Sequence, residues 1–272
     1  KKILCKDIDV NIINKVRFIE SVFDDTIRKV TNLVNNNEVD VFITGGSNAE
    51  LVKNNFPNQA LVTIGVNDFD ILYALSEASK LGDTAAFLVY GEYIKELSNI
   101  QHVLNIQISQ YVFTDIFNLY DIVQFIKDKG VKTVIGSSIV CDICDKIGIN
   151  SIFVYSSHSI KKSLITALDM QSSIQHEKEK SELLQTLINY THSGVISVDH
   201  NVCIQTCNSA AENILNINKD DVIGKKINNV IQNTKLDEVI STKLTQVNEV
   251  QKINKETTIL TNRVPIIVNN KC

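Results

Sequence analysis

Short apolar runs alternate with amphipathic stretches along residues 17–158 of the chain. Short apolar runs bounded by polar turns are typical of buried strands, and apolar positions at helical spacing are typical of helices. The pattern predicts strands at Arg17–Val22, Val39–Ile43, Ala60–Ile64, Thr84–Tyr90, His102–Ile108, Thr133–Ile135 and Ser151–Tyr155. It predicts helices at Asp25–Asn35, Ala49–Asn54, Phe69–Leu81, Tyr93–Ser98, Asp115–Lys129 and Val140–Ile147.

This alternation of strands and helices predicts a doubly wound α/β/α architecture with parallel sheets. The loop Thr44–Asn48, which is rich in glycines and hydroxyls, follows a predicted strand. A similar loop follows a later predicted strand at Gly136–Ser138. Two such halves predict two similar lobes. Because ligands of these sheets bind beyond the carboxyl ends of the strands, we expect a ligand cleft between the lobes.

The Thr44–Asn48 loop joins the end of a predicted strand to the start of a predicted helix. Free backbone N–H groups and the helix dipole favour negative charge at such a point. The loop has neither the Gly-Lys-Ser/Thr ending of a P-loop nor the G-x-G-x-x-G of a dinucleotide site, so it predicts a small anionic or polar ligand. A structural turn without a ligand is the alternative. The expected contacts are Thr44, Gly45, Gly46, Ser47, Asn48, Asn67, Asp68, Tyr90, Gly136, Ser137, Ser138, Tyr155 and Ser156.

The last part of the chain has a different pattern. No Gly or Pro occurs from Ser159 to His192, which predicts a long helix whose polar middle is exposed or paired in a dimer. A hairpin and two further strands, Glu249–Ile253 and Thr257–Val268, follow and predict a small α+β domain. We therefore expect a two-lobed region, a linker helix and a small domain at residues 1–158, 159–192 and 193–272.

Composition limits the possible partners and compartment. The chain has 27 basic and 31 acidic residues and a net charge of −4, which argues against a nucleic-acid surface. No apolar run reaches the ~20 residues that a membrane helix needs, and no signal peptide opens the sequence. The six cysteines are scattered, as in a reduced cytoplasmic protein.

Other chemical motifs have simpler interpretations. The C-x-x-C at Cys141–Cys144 is typical of redox or zinc sites, but it lies in a predicted helix without a second pair, which favours core packing. His176-Glu177 lies in a charged surface stretch. Helix capping accounts for Asp68 and Asp70. We find no nucleophile with a partner base, and we expect no catalytic residue, metal or cofactor.

Several segments carry a resemblance to a known family. Asp40–Leu51, Val62–Leu72, Val134–Ser138, Gly148–Ser156 and Ile160–Leu168 resemble the N-terminal receptor domain of propionate-catabolism activators of the PrpR type. The resemblance spans roughly residues 16–170, and its order and spacing are specific although each motif alone is weak.

The small domain resembles a PAS domain. Ser193–Asp199 is similar to its first strand, Asn208–Glu212 to its turn into a helix, and Ile223–Lys225 to the glycine before a loop. The last residues stop before a final PAS strand, so we expect the sensor portion of a longer protein.

Together the two resemblances imply a sigma-54-dependent transcription activator. Such activators signal to an AAA+ ATPase and a DNA-binding domain, neither of which these residues contain. The resemblance also implies ATP and DNA binding in the longer protein, phosphorelay-type signal transduction, and a homodimer formed through the linker helix and PAS domain. The type member of the family responds to a tricarboxylate. The loops here hold no Arg to recruit one, so we expect a different ligand.

We therefore expect a sensor that binds a small carboxylate or phosphate in the cleft, with lobe closure moving the Ser159–His192 helix. One alternative is a two-lobed isomerase or lyase that uses the same cleft, with Cys141 or Asp68 transferring protons. A second alternative is a dimerisation module that works through the PAS domain alone.

Overall fold

A computed structural model describes residues 13–95, 97, 106–253 and 257–267. The chain divides into two compact units, with the boundary between His176 and Glu177. The three-part division at residues 158 and 192 stays a prediction. Among the described residues, no helix has the length and hydropathy that crossing a membrane requires.

The first unit contains two parallel sheets, as the alternating pattern predicts. One sheet has two strands, and the other has four in the order β4-β3-β5-β6. Its elements are α1 (Asp24–Asn35), β1 (Val41–Gly45), α2 (Ser47–Asn55), β2 (Ala60–Ile64), α3 (Asp68–Ser79), β3 (Thr84–Tyr90), β4 (Gln107–Phe113), α4 (Ile116–Asp128), β5 (Thr133–Gly136), α5 (Ser138–Ile147), β6 (Asn150–Phe153) and the first part of α6 (Ser157–Tyr190).

Helices cover both faces of the four-stranded sheet. Ala85 and Phe87 of β3 pack with α3, whereas Ala86 and Leu88 pack with α4 and α5. Successive side chains of a strand point to opposite faces, so a run of apolar residues in β3 is needed to fill both cores. This arrangement confirms the predicted doubly wound architecture for this sheet.

The two-stranded sheet has a separate, smaller core formed by Val30, Leu33, Phe42 and Val52. The predicted strand Arg17–Val22 is wrong, because this segment pairs with no strand. Side chains satisfy part of its backbone instead. Lys29 donates to the Glu20 carbonyl at 2.7 Å, and Asn48 donates to the Ser21 carbonyl at 2.9 Å.

Strand β4, at the edge of the four-stranded sheet, lies later than the sequence pattern suggests. Residues 102–105 of the predicted strand His102–Ile108 lie outside the described residues, and β4 runs from Gln107 to Phe113. It is an edge strand, and polar and apolar residues mix in Gln107–Tyr111. A search for continuous apolar runs misses such a strand. Within the predicted helix Tyr93–Ser98, only Leu97 is helical among the described residues.

Helix α6 confirms the predicted long helix, and its surroundings change along its length. Ser159, Ile160, Leu164 and Ala167 are buried in the first unit. From Glu177 onward every residue of α6 is exposed, in agreement with the polar pattern.

The second unit is α+β and contains two antiparallel strand pairs, which confirms the predicted hairpin and terminal strands. Ile204, Val222, Ile227 and Ile231 form its core. Residues 254–256, between the two predicted terminal strands, lie outside the described residues. The elements are β7 (Ile196–Val198), β8 (Ile204–Cys207), α7 (Ser209–Leu215), α8 (Lys219–Val222), a 3₁₀ turn (Ile227–Asn229), α9 (Leu236–Thr242), β9 (Gln246–Lys252) and β10 (Thr258–Arg263).

Buried Asn208 organises the start of the second unit. Its Oδ1 accepts from the Ala211 N–H at 2.9 Å, which caps α7, and from the Val195 N–H at 2.8 Å. Its Nδ2 donates to the Ile188 carbonyl at 2.8 Å. One side chain therefore ties the end of α6 to the segment before β7 and to α7.

Candidate ligand-binding site

A cavity of about 180 Å³ lies where strands of both parallel sheets end. It is bounded by residues at or just beyond the carboxyl ends of β1, β2, β3, β5 and β6, the position where ligands bind in open α/β sheets. The lining residues are Gly46, Glu50, Val66, Phe87, Leu88, Val89, Tyr90, Ile94, Ser137, Val154 and Tyr155.

Four of the expected ligand contacts meet at this cavity: Gly46, Tyr90, Ser137 and Tyr155. The two glycine-hydroxyl loops are neighbours there, since a Cβ on Gly46 would lie 3.8 Å from the Ser137 Cβ. The fold therefore places side by side two loops that are far apart in the chain. Their role in binding stays a prediction.

The first loop rests against Tyr155. A Cβ on Gly45 would lie 3.0 Å from the Tyr155 hydroxyl oxygen. Gly46 precedes α2 with φ 59° and ψ −143°, and no side chain caps this helix. Burial raises the pKa of the Tyr155 phenol, while the nearby Gly46 backbone N–H partly opposes that rise.

The second loop is held by its own helix. A Cβ on Gly136 would lie 2.7 Å from the Val140 Cβ, far inside van der Waals contact. Ser137 occupies the N-cap position of α5, but its side chain makes no capping hydrogen bond. Both loops thus open helices whose first N–H groups have no side-chain cap, although such groups need a partner.

Thr44 and Asn48 face another part of the first unit. They line a larger cavity of about 560 Å³, whose walls include Phe42, Val52 and Leu164. The Asn48 amide is also engaged, because its Oδ1 accepts from the Thr26 hydroxyl at 3.1 Å while its Nδ2 donates to the Ser21 carbonyl. These two residues do not line the smaller cavity.

The other expected residues do not line the cavity. Ser47 is buried in the first turn of α2, and Gly136 is buried at the end of β5. Asp68 and Ser138 are exposed at the starts of α3 and α5. Asn67 caps α3 by accepting from the Asp70 N–H at 2.9 Å, and Asp70 reciprocates, which confirms the capping interpretation of this segment.

A buried polar network joins the start of α3 to the start of α6. The Ser159 hydroxyl donates to Asp70 Oδ2 at 2.7 Å and accepts from Asn67 Nδ2 at 2.8 Å. The Ser156 N–H donates to Asp70 Oδ1 at 3.3 Å. Burial alone raises the pKa of Asp70, but hydrogen bonds from Ser156, Asn67 and Ser159 outweigh it, and the pKa lies below its ordinary value.

Sequence reasoning found the capping role of Asp70 but missed its contact with Ser159. It also did not single out Glu50, which lines the cavity. Asp70 and Ser159 lie 89 positions apart, and only the fold brings them together. Glu50 offered a usable signal, because it lies about one helical turn after Gly46 of the Thr44–Asn48 loop.

The cysteines and the other potential metal ligands form no metal site among the described residues. Burial raises the pKa of the Cys144 thiol to about 12, and burial also raises the pKa of Cys141. Cys144 belongs to the core beside α4 and α5. No group of three or more His, Cys, Asp or Glu side chains suited to a metal occurs among the described residues.

Two family comparisons account for most of the chain. Residues 13–177 match the propionate catabolism activator family, PrpR_N, and residues 182–271 match the PAS fold. The crystal structure of an NtrC family transcriptional regulator from Clostridium acetobutylicum is also similar. It is 21% identical, with a TM-score of 0.49, over 55% of this chain and 79% of that chain. The chain belongs to the propionate catabolism activator family and is a regulatory sensor region in which a PAS fold follows the receptor region.

Proposed function

We propose that the 180 Å³ cavity binds a small metabolite with a carboxylate or phosphate group. The observation that carries this proposal is that two helices without side-chain caps, α2 and α5, begin at the same cavity. Each helix start presents N–H groups that no side chain caps, together with a partial positive charge. An acidic group between them satisfies both, and such a site needs no Lys or Arg.

Binding reaches α6 through the segment that precedes it. Tyr155 lines the cavity and touches the first loop, and the next residue, Ser156, contacts Asp70. Ser159, in the first turn of α6, bonds the same carboxylate. An acid that takes the Gly46 N–H must displace the Tyr155 hydroxyl, and a shift of Tyr155 moves the backbone that starts α6.

A shift of α6 can act on the PAS fold through the hydrogen bond at the C-terminal end of the helix. The Ile188 carbonyl accepts from Asn208, the residue that also caps α7 and holds the segment before β7. A ligand that favours one position of α6 thereby favours one state of the PAS fold. We propose that, within a sigma-54-dependent activator, this state controls an AAA+ ATPase and a DNA-binding domain.

Exposed leucines on α6 support dimerisation as part of the same mechanism. Leu183, Leu184 and Leu187 are 50–59% exposed on α6, and contiguous exposed apolar side chains mark association surfaces. The isomerase or lyase alternative has less support. Its acid/base candidates Cys141 and Asp68 do not line the cavity, and burial raises the pKa of the Cys141 thiol.

Thermal unfolding of the chain against a panel of organic acids and organic phosphates tests the proposal. At least one acid should raise the unfolding midpoint of the wild type and of Ser138→Leu, whose new side chain lies outside the cavity. The same acid should leave Ser137→Leu unchanged, because that side chain occupies the cavity. Ser137 makes no capping bond, so its replacement should cost little stability.

Two outcomes contradict the proposal. If no acid or phosphate changes the unfolding midpoint of the wild type and the chain forms a stable dimer, the result favours a module that only dimerises. Consumption of the stabilising acid during incubation favours the enzyme.

A further inference from the structure

Glu50 is the only carboxylate among the described residues that line the 180 Å³ cavity. None of the lining residues is Lys or Arg, and no ion pair found among the described residues includes Glu50. The cavity wall thus combines two positive helix starts with one fixed negative charge.

Glu50 lies on the helix that the first loop opens. It follows Gly46 by four residues on α2, or about 6 Å along the axis at the usual helical rise. Its Oε1 lies 3.8 Å from the point that a Cβ on Gly91 would occupy, so the carboxylate reaches toward the loop after β3. The negative charge is therefore on the same wall as the first loop, one helical turn away.

We infer that Glu50 selects a ligand that carries one ammonium group in addition to its acidic group. This inference rests on the proposed function, and it narrows the ligand from an acid in general to a zwitterion. The acidic group lies at the two helix starts, and the ammonium group pairs with Glu50.

Electrostatics disfavour a ligand with two or three acidic groups. A second carboxylate in place of the ammonium group meets the Glu50 charge at short range and finds no cation on the wall. Glu50 is exposed, so water screens part of this repulsion, and we expect an effect of roughly tenfold in affinity rather than thousands.

Isothermal titration calorimetry with three four-carbon probes tests the inference. Butyrate has one acidic group, succinate has two, and 4-aminobutyrate has one acidic group and one ammonium group. The wild-type chain should bind 4-aminobutyrate at least about tenfold more tightly than succinate. In Glu50→Gln, the affinity for 4-aminobutyrate should fall. Succinate and 4-aminobutyrate should then bind to this variant equally well.

Glu77→Gln is the matched control, because Glu77 lies on α3 and pairs with Lys80 outside the cavity. It should keep the wild-type order of affinities. Equal or tighter binding of succinate by the wild type, or an unchanged order in Glu50→Gln, overturns the inference and leaves the proposed function standing. Binding of none of the three probes also overturns it, and the acid panel then decides the proposed function separately.

Discussion

The Thr44–Asn48 and Gly136–Ser138 loops have similar sequences but different physical constraints. In the first, Gly46 takes φ 59° and ψ −143°, a conformation that essentially only glycine adopts. In the second, Gly136 lies in a strand, and it is glycine because Val140 leaves no space for a Cβ. Gly46 is therefore needed for its backbone conformation, and Gly136 is needed because of the packing around it.

The two loops also differ in what they contact. The first rests on Tyr155, whose neighbours Ser156 and Ser159 are held by Asp70. The second rests on its own helix α5. The difference shows that a repeated pattern can place two similar helix starts at one cavity with different supports. Tyr155 lies against the glycines of the first loop, whereas Gly136 of the second pairs with β6 and accepts from the Val154 N–H at 2.9 Å.

Gly136→Ala should have the largest effect on stability, a loss of about 3 kcal/mol in the free energy of unfolding, because the added methyl overlaps Val140 in a packed core. Urea denaturation measures it. Gly136→Ala/Val140→Ala should lose less than the sum of the two single changes, since a smaller residue 140 removes the overlap. Strictly additive losses contradict the packing explanation.

Asp70→Asn should cost about 2 kcal/mol, because the amide cannot accept all the hydrogen bonds that reach the carboxylate. The pKa of Asp70 is lower in the folded state, so its contribution is complete above the unfolded-state pKa of about 4 and is lost as pH falls through the folded-state value. The stability difference between wild type and variant should be constant from about pH 5 to 8 and should shrink below about pH 4. Urea titrations across this range test it, and a constant difference at all pH values excludes the ionised network.

Gly46→Ala should cost about 1–2 kcal/mol through backbone strain. Unlike the loss at Gly136, this loss should not be recovered by a smaller neighbour, because a Cβ on Gly46 would lie at an ordinary 3.6 Å from the Tyr155 hydroxyl. The comparison of Gly46→Ala with Gly46→Ala/Tyr155→Phe in urea shows this. Recovery of stability in the double variant would mean that the two glycines share one explanation.

Tyr155→Phe should have the smallest effect on stability, about 1 kcal/mol or less, because it removes only the hydroxyl beside Gly46. It should still speed amide exchange at Gly46 and leave exchange at Ser138 unchanged. Equal changes at both loops would contradict the view that Tyr155 supports only the first.

The sequence predicted much of the fold because apolar periodicity records burial. Continuous runs such as Thr84–Tyr90 occur where a central strand is covered on both faces, and the structure confirms that strand. Two misses have physical causes. β4 is an edge strand with polar residues among its apolar ones, and Arg17–Val22 has apolar residues but uses side-chain partners instead of a ladder.

The candidate site could be predicted only in part. Glycines and hydroxyls at strand ends located Gly46, Ser137 and Tyr155, because carboxyl ends of parallel strands converge. The hydrogen-bond partners of Asn48 could not be predicted, since one is Thr26 in α1 and the other is the Ser21 carbonyl in a segment without strand pairing. The Asp70–Ser159 contact depends on how α3 and α6 pack, and no local pattern encodes that.

The most direct test of ligand binding between the two loops is amide hydrogen exchange of the full chain, with and without the acid that raises its unfolding midpoint most. We expect slower exchange at the first amides of α2 and α5 and at the first turn of α6, around Ser159 and Ile160. Protection confined to the walls of the 560 Å³ cavity or to the PAS fold, with the starts of α2 and α5 unchanged, would contradict the account.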